Sequence, residues 1–170
     1  MLVGGASLGA LGVACGAFGA HALEGMLSER ALGWYDTAVT YHAGHALALL
    51  ACGLLGTLSS MPAAGRAREV GSGEARGQGD RGHRCRRACR IAGIAFAIGV
   101  VLFSGSLYLM AFTGWTRLGI VTPFGGLALI AGWSFLALAA LRLPDALSSS
   151  APAAPPPAPS PSAAAERHPS

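Results

Sequence analysis

Hydrophobic and polar positions in this chain are segregated into long blocks. Four apolar stretches cover residues 2–23, 39–58, 91–113 and 118–141, and none contains an Asp, Glu, Lys or Arg. At 1.5 Å rise per residue, about 20 helical residues cross a hydrocarbon core of roughly 30 Å, so each block is long enough to span a bilayer. The blocks are apolar on every face, whereas a helix on the surface of a soluble domain carries a polar stripe of period 3.6. Period-2 alternation, the signature of a membrane β-barrel, is absent. The pattern predicts an all-α integral membrane protein, with four transmembrane helices in an antiparallel bundle forming a membrane domain over residues 1–143.

Two segments fall outside the blocks. Residues 62–90 carry eight of the twelve basic residues, all of them Arg, against Glu69, Glu74 and Asp80, a net charge of +5. Rich in Gly and poor in large apolar residues, this loop is expected to be disordered, because it buries too little surface to offset the entropy of ordering. Residues 144–170 are mostly Pro, Ala and Ser and are expected to form a disordered low-complexity tail.

Composition agrees with a membrane protein: 52% of the 170 residues are hydrophobic and only 12% are charged, about half the charged share of a typical soluble domain. The formal net charge of +4 does not indicate nucleic-acid binding, because the basic excess sits in the one loop. That loop instead sets an orientation. Short positively charged loops stay cytoplasmic, so both termini are expected in the cytoplasm and the 24–38 and 114–117 connections outside, in a multi-pass protein of a bacterial inner membrane. The Ala20-His21-Ala22 triplet has the form of a signal-peptidase site, but no Lys or Arg precedes the first block, which is longer than a signal-peptide core; a retained span fits better. The block begins almost at Met1, which leaves open a start further upstream.

Gly5, Gly9, Gly12, Gly16 and Gly19 recur at spacings of three and four, drawing a groove along the first helix that lets a neighbouring backbone approach. Gly125 and Gly126 are expected to act similarly in the fourth. Cys15 and Cys52 read as small packing residues within spans. Cys85 and Cys89 with His83 offer three potential ligands, one short of a structural zinc site, and read as a reduced pair. Histidines 42 and 45 are weak metal candidates; no metal or other cofactor is expected.

Counting depth from the outer helix ends places His21, Tyr41, His45, Ser104, Tyr108, Thr122 and Pro123 in one layer of the outer half. Tyr41 and His45 are four apart, as are Ser104 and Tyr108, so each pair shares a helix face. Polar groups in hydrocarbon either hold helices together or mark a working site. The expectation is a convergent intramembrane site beside a fourth helix opened by Pro123, with carbonyls exposed near Gly119 and Ile120. Trp34, Tyr35 and Trp115 read as interfacial belt residues.

These residues also carry a resemblance. Gly16-Ala17-Phe18-Gly19-Ala20-His21, Trp34 with Thr37-Ala38-Val39, Tyr41-His42-Ala43-Gly44-His45, Leu102 to Tyr108, Val121-Thr122-Pro123-Phe124-Gly125-Gly126 and Gly132-Trp133 resemble the motifs of the YgdD-like family of small membrane proteins of unknown function, which has eukaryotic relatives of the same helix plan. The resemblance covers all four spans in order. It implies an inner-membrane protein and supplies no substrate, cofactor or reaction. The Arg-rich loop and the tail look like additions to the family's plan, and His42 stands where bacterial relatives often have Gln.

Two classes of function stay open. The leading one is a non-enzymatic structural, assembly or accessory component, embedded in lipid and packed against a membrane partner or a second copy. The alternative is a small pocket protein that binds or conducts a metal ion, proton or small molecule at the His and Tyr layer. No in-span acid pair, nucleophile with base, or phosphate loop supports an enzyme.

Overall fold

The computed structural model describes residues 1–59 and 72–148, with side chains described over 1–59 and 82–142. Residues 62–71 of the expected loop and the tail beyond residue 148 lie outside the described residues. The order is α1 (Leu2–Ala22), α2 (Glu29–Leu58), α3 (Ser72–Thr113), a 3₁₀ turn (Thr116–Ile120) and α4 (Thr122–Ser148). Four stretches are long and apolar enough to cross a membrane: Leu2–Ala22, Glu29–Leu58, Gly82–Thr113 and Thr116–Arg142. The chain is thus all-helical with four candidate spans, and there is no strand among the described residues.

Three boundaries differ from the reading of the apolar blocks. Helix α2 starts ten residues early, at Glu29, because Ser28 caps it: its hydroxyl accepts a bond from the Ala31 amide at 3.3 Å, and Glu29 sits in the positive first turn. Trp34 and Tyr35 therefore lie inside a helix, and the connection between α1 and α2 shrinks to residues 23–28. Helix α3 runs from Ser72, so the described part of the Arg-rich loop, 72–90, is helical and not irregular. Cys85, Ala88, Cys89 and Ala92 recur at helical spacing and are buried with Ala139 and Leu55 nearby, and Arg and Ala are good helix formers. The overall composition of that segment hides this short stripe. The fourth block divides into the 3₁₀ turn and α4, which begins at Thr122 and runs to Ser148, so residues 144–148 of the expected disordered tail are helical. Pro123 is thus in the first turn, where a missing amide proton costs nothing. It starts the helix and does not open it.

Gly25 (φ 83°), in the turn after α1, and Gly114 (φ 68°), directly after α3, are in the left-handed region, which side chains disfavour, and so permit two tight turns. The helices pack in series: α1 on α2, α2 on α3, α3 on α4, with α2 also touching α4. Helices α2, α3 and α4 surround a core of Ala48, Cys52, Ala92, Phe96, Val100 and Leu129. Helix α1 packs against α2 and is the peripheral element.

Glycines permit the closest approaches. A Cβ at Gly5 would lie 2.9 Å from the Leu50 amide nitrogen, and one at Gly19 would lie 2.6 Å from the Tyr35 ring. Gly12 faces Ala43 and Gly16 faces Val39, whereas Gly9 has open space. Between α3 and α4, a Cβ at Gly125 would overlap the Phe103 backbone, while Gly126 only meets the Phe103 ring at van der Waals distance.

Candidate intramembrane polar site

The buried stripe of α2 runs through Tyr35, Ala38, His42, Ala46 and Leu49. Its spacing of three and four residues keeps one face toward α3, and Ala38 and Ala46, one turn either side of His42, let α3 come close. Tyr35 clusters with Ala111 and Ala38 with Leu107, so the antiparallel register places His42 across from Ser104 and Tyr108. His42 Nδ1 lies 3.4 Å from Tyr108 Oη. The Tyr35 hydroxyl turns the other way and donates to the Cys15 carbonyl of α1 at 2.7 Å. The Tyr35 and Tyr108 rings meet edge to face, with centroids 5.1 Å apart.

His45 is three residues further along α2 and points toward α4. The Trp133 indole N–H donates to its Nε2 at 3.2 Å, and its Nδ1 is 2.7 Å from the Tyr41 carbonyl one turn back. The Tyr41 ring stacks on the imidazole at 5.7 Å and packs on Phe103 at 4.5 Å. On α3, Ser106 Oγ donates to the Phe103 carbonyl at 2.9 Å and lies 2.9 Å from Thr122 Oγ1 at the start of α4.

The seven residues of the expected site therefore divide. Tyr41 with His45 forms one group on the α2–α4 side, Tyr108 and Ser104 lie on the α3 face that meets His42, and Thr122 pairs with Ser106. His21 is exposed in the last turn of α1, and Pro123 is exposed at the start of α4. Equal depth does not bring these side chains to one point, because they leave their helices in different directions around the bundle. His42 and His45, the two metal candidates, face different neighbours. Among the described residues no three His, Cys, Asp or Glu side chains are grouped to hold a metal ion. His83 Nδ1 instead lies 2.8 Å from the Arg86 guanidinium, and the Cys85 thiol donates to the Ala139 carbonyl at 3.5 Å.

Four polar residues outside the expected set matter here: Tyr35, His42, Ser106 and Trp133. The signal for His42 was the alanine on each side of it at helical spacing, which marks the close-packed face of α2. Two buried atoms have no hydrogen-bond partner among the described residues, His42 Nε2 and Ser104 Oγ, although their residues are only 3% and 1% exposed.

Comparison with known proteins supplies a family. Residues 15–126, more than half of the chain, match DUF423, described as a protein of unknown function. The chain is 36% identical over 132 residues to the UPF0382 membrane protein YwdK of Bacillus subtilis, covering 78% of this chain and 88% of that one. It is 34% identical over 143 residues to the UPF0382 inner membrane protein YgdD of Escherichia coli K12, covering 84% and 90%. It is 35% identical over 132 residues to a UPF0382 membrane protein of Staphylococcus epidermidis, covering 78% and 87%. No solved structure matches the chain.

Proposed function

The chain belongs to the DUF423 family of membrane proteins of unknown function, and from that premise we propose that it is a non-enzymatic structural or accessory component of the bacterial inner membrane, oriented with the arginine-rich end of its helices in the cytoplasm. One observation carries this reading: four side-chain hydrogen bonds within the spans each join a different two helices. Tyr35 joins α2 to α1, His42 with Tyr108 joins α2 to α3, Trp133 with His45 joins α4 to α2, and Ser106 with Thr122 joins α3 to α4. Such a distribution of hydrogen bonds rigidifies a bundle. A reaction centre needs its groups gathered around one substrate. The outward face of α1 supports association with a further helix: Ser7, Ala10, Ala14 and Ala17 recur there at spacings of three and four, opposite the glycines that meet α2, and all four are exposed.

The test is cross-linking of the full chain in native membranes, followed by mild-detergent purification with mass spectrometry and metal analysis. A stoichiometric second copy or one stoichiometric membrane protein is the expected result, and it should be lost on Ala10→Leu/Ala14→Leu replacement. A stoichiometric metal or small molecule would instead support the second reading, a small pocket protein. That reading is favoured by the unpaired His42 Nε2 and Ser104 Oγ, since buried polar atoms without partners are rare in native packing.

A further inference from the structure

The arginines of the expected loop that fall among the described residues are carried on α3, and the helix sorts them. At 3.6 residues per turn, the buried Cys85 and Cys89 fix the inward face of α3. Arg86 and Arg90, four apart, then emerge on one flank of that face, and Arg84 and Arg87 on the other. Each flank opens on a groove with an apolar floor. The first, of about 540 Å³, is lined by Leu2, Val3, Cys52 and Cys89 with Arg86 and Arg90. The second, of about 320 Å³, lies between α3 and α4, lined by Ile91, Phe135 and Leu138 with Arg87 and Arg142.

We infer that these two grooves are binding sites for anionic phospholipids, with an acyl chain on the apolar floor and the phosphate held by the paired arginines. The charge is complementary and local: the described lining of both grooves holds arginines and no Asp or Glu. The side-chain type fits as well. Every basic residue of this chain is Arg and none is Lys, and a guanidinium presents a planar fork of donors that grips phosphate oxygens in pairs. A free phosphate would use the arginines and leave the floor uncovered, whereas a phospholipid uses both. Basic recesses between transmembrane helices at one membrane face are suited to such headgroups. This inference is independent of the accessory role proposed above and of the membrane side on which the arginines lie.

Native mass spectrometry of the full chain in mild detergent, with defined amounts of phosphatidylglycerol, cardiolipin or phosphatidylcholine, tests it. Up to two anionic lipids should be retained per chain in preference to phosphatidylcholine. Each arginine near an anionic headgroup contributes roughly fivefold, so each pair should give roughly 25-fold. Arg86→Gln/Arg90→Gln should remove one retained lipid and Arg87→Gln/Arg142→Gln the other, while the corresponding Lys pairs should retain part of the preference. All these positions are exposed and the Arg86–His83 contact is an exposed one, so the thermal midpoint of lipid-free protein should change little and separate lost binding from lost folding. Equal retention of neutral and anionic lipid, or unchanged retention in both Gln pairs, would overturn the inference. Retention of inorganic phosphate as tight as that of the anionic lipid would also overturn it, by showing a bare anion site.

Discussion

Trp133 of α4 and His45 of α2 share one hydrogen bond, and its direction determines the tautomer of the histidine. The indole can only donate, so His45 Nε2 must accept at 3.2 Å. The other nitrogen, 2.7 Å from the Tyr41 carbonyl, must then carry the proton. Both ring nitrogens are satisfied, one within α2 and one across to α4.

This pair should show measurable coupling. His45→Leu and Trp133→Phe should each lower stability in detergent, and the double variant should cost less than the sum. An interhelical hydrogen bond in a membrane contributes about 0.5–1.5 kcal/mol, which is the coupling energy expected from a double-mutant cycle of unfolding midpoints. Strict additivity would mean that the two side chains only pack.

Tyr35→Phe removes the hydroxyl that reaches the Cys15 carbonyl and keeps the buried ring. The α2–α3–α4 core should be unaffected, while α1 loses an anchor. Spin labels at positions 14 and 54 should report a broader interhelical distance distribution in the variant than in the parent, with an unchanged distribution between α3 and α4.

The glycines should rank by the space around them. Gly125→Ala drives a methyl group into the Phe103 backbone and should cost several kcal/mol or prevent folding. Gly12→Ala meets Ala43 at an ordinary 3.6 Å and should be nearly neutral, and Gly9→Ala, with open space around it, should be neutral or slightly stabilising. Thermal midpoints of the three variants check the order.

Thiol labelling should be selective. Cys52, Cys85 and Cys89 are buried and Cys15 is half-buried, beside a groove lined by Phe18 and Tyr108. A small membrane-permeant maleimide should modify Cys15 first, and peptide mass spectrometry at increasing times should show the other three lagging behind it.

Reporter fusions test the orientation. A fusion at Arg86 should read as cytoplasmic and one at Gly25 as external. The opposite result would invert the protein and leave its internal packing unaffected.

The hydrophobic blocks made the number and order of the candidate spans legible, because the bilayer sets a minimum length of apolar chain for any segment that crosses it. Helix starts were less legible. The Ser28 cap was visible as a residue type, but charged residues after it masked the continuity of α2. The turn of each helix about its own axis was the least legible quantity. Counting residues gives depth, so His45, Tyr108 and Thr122 could be assigned to one layer. Whether they meet depends on azimuth, and uniformly apolar helices carry little periodic signal for it. Where small residues flank a polar one at helical spacing, as Ala38 and Ala46 flank His42, that signal was present. The glycine stripe of α1 carried it too, since Gly5, Gly12, Gly16 and Gly19 all face α2.

The peripheral seat of α1 also bears on how the protein is made. The surface that receives this helix lies on α2, whose Tyr35, Val39, Ala43 and Leu50 meet the α1 glycines. The two helices are neighbours in sequence, so this contact can form before α3 and α4 are in place. Until α2 is inserted, the glycine face of α1 is open to lipid and to other helices nearby, so the interval between these two spans sets how long it can pair with the wrong neighbour.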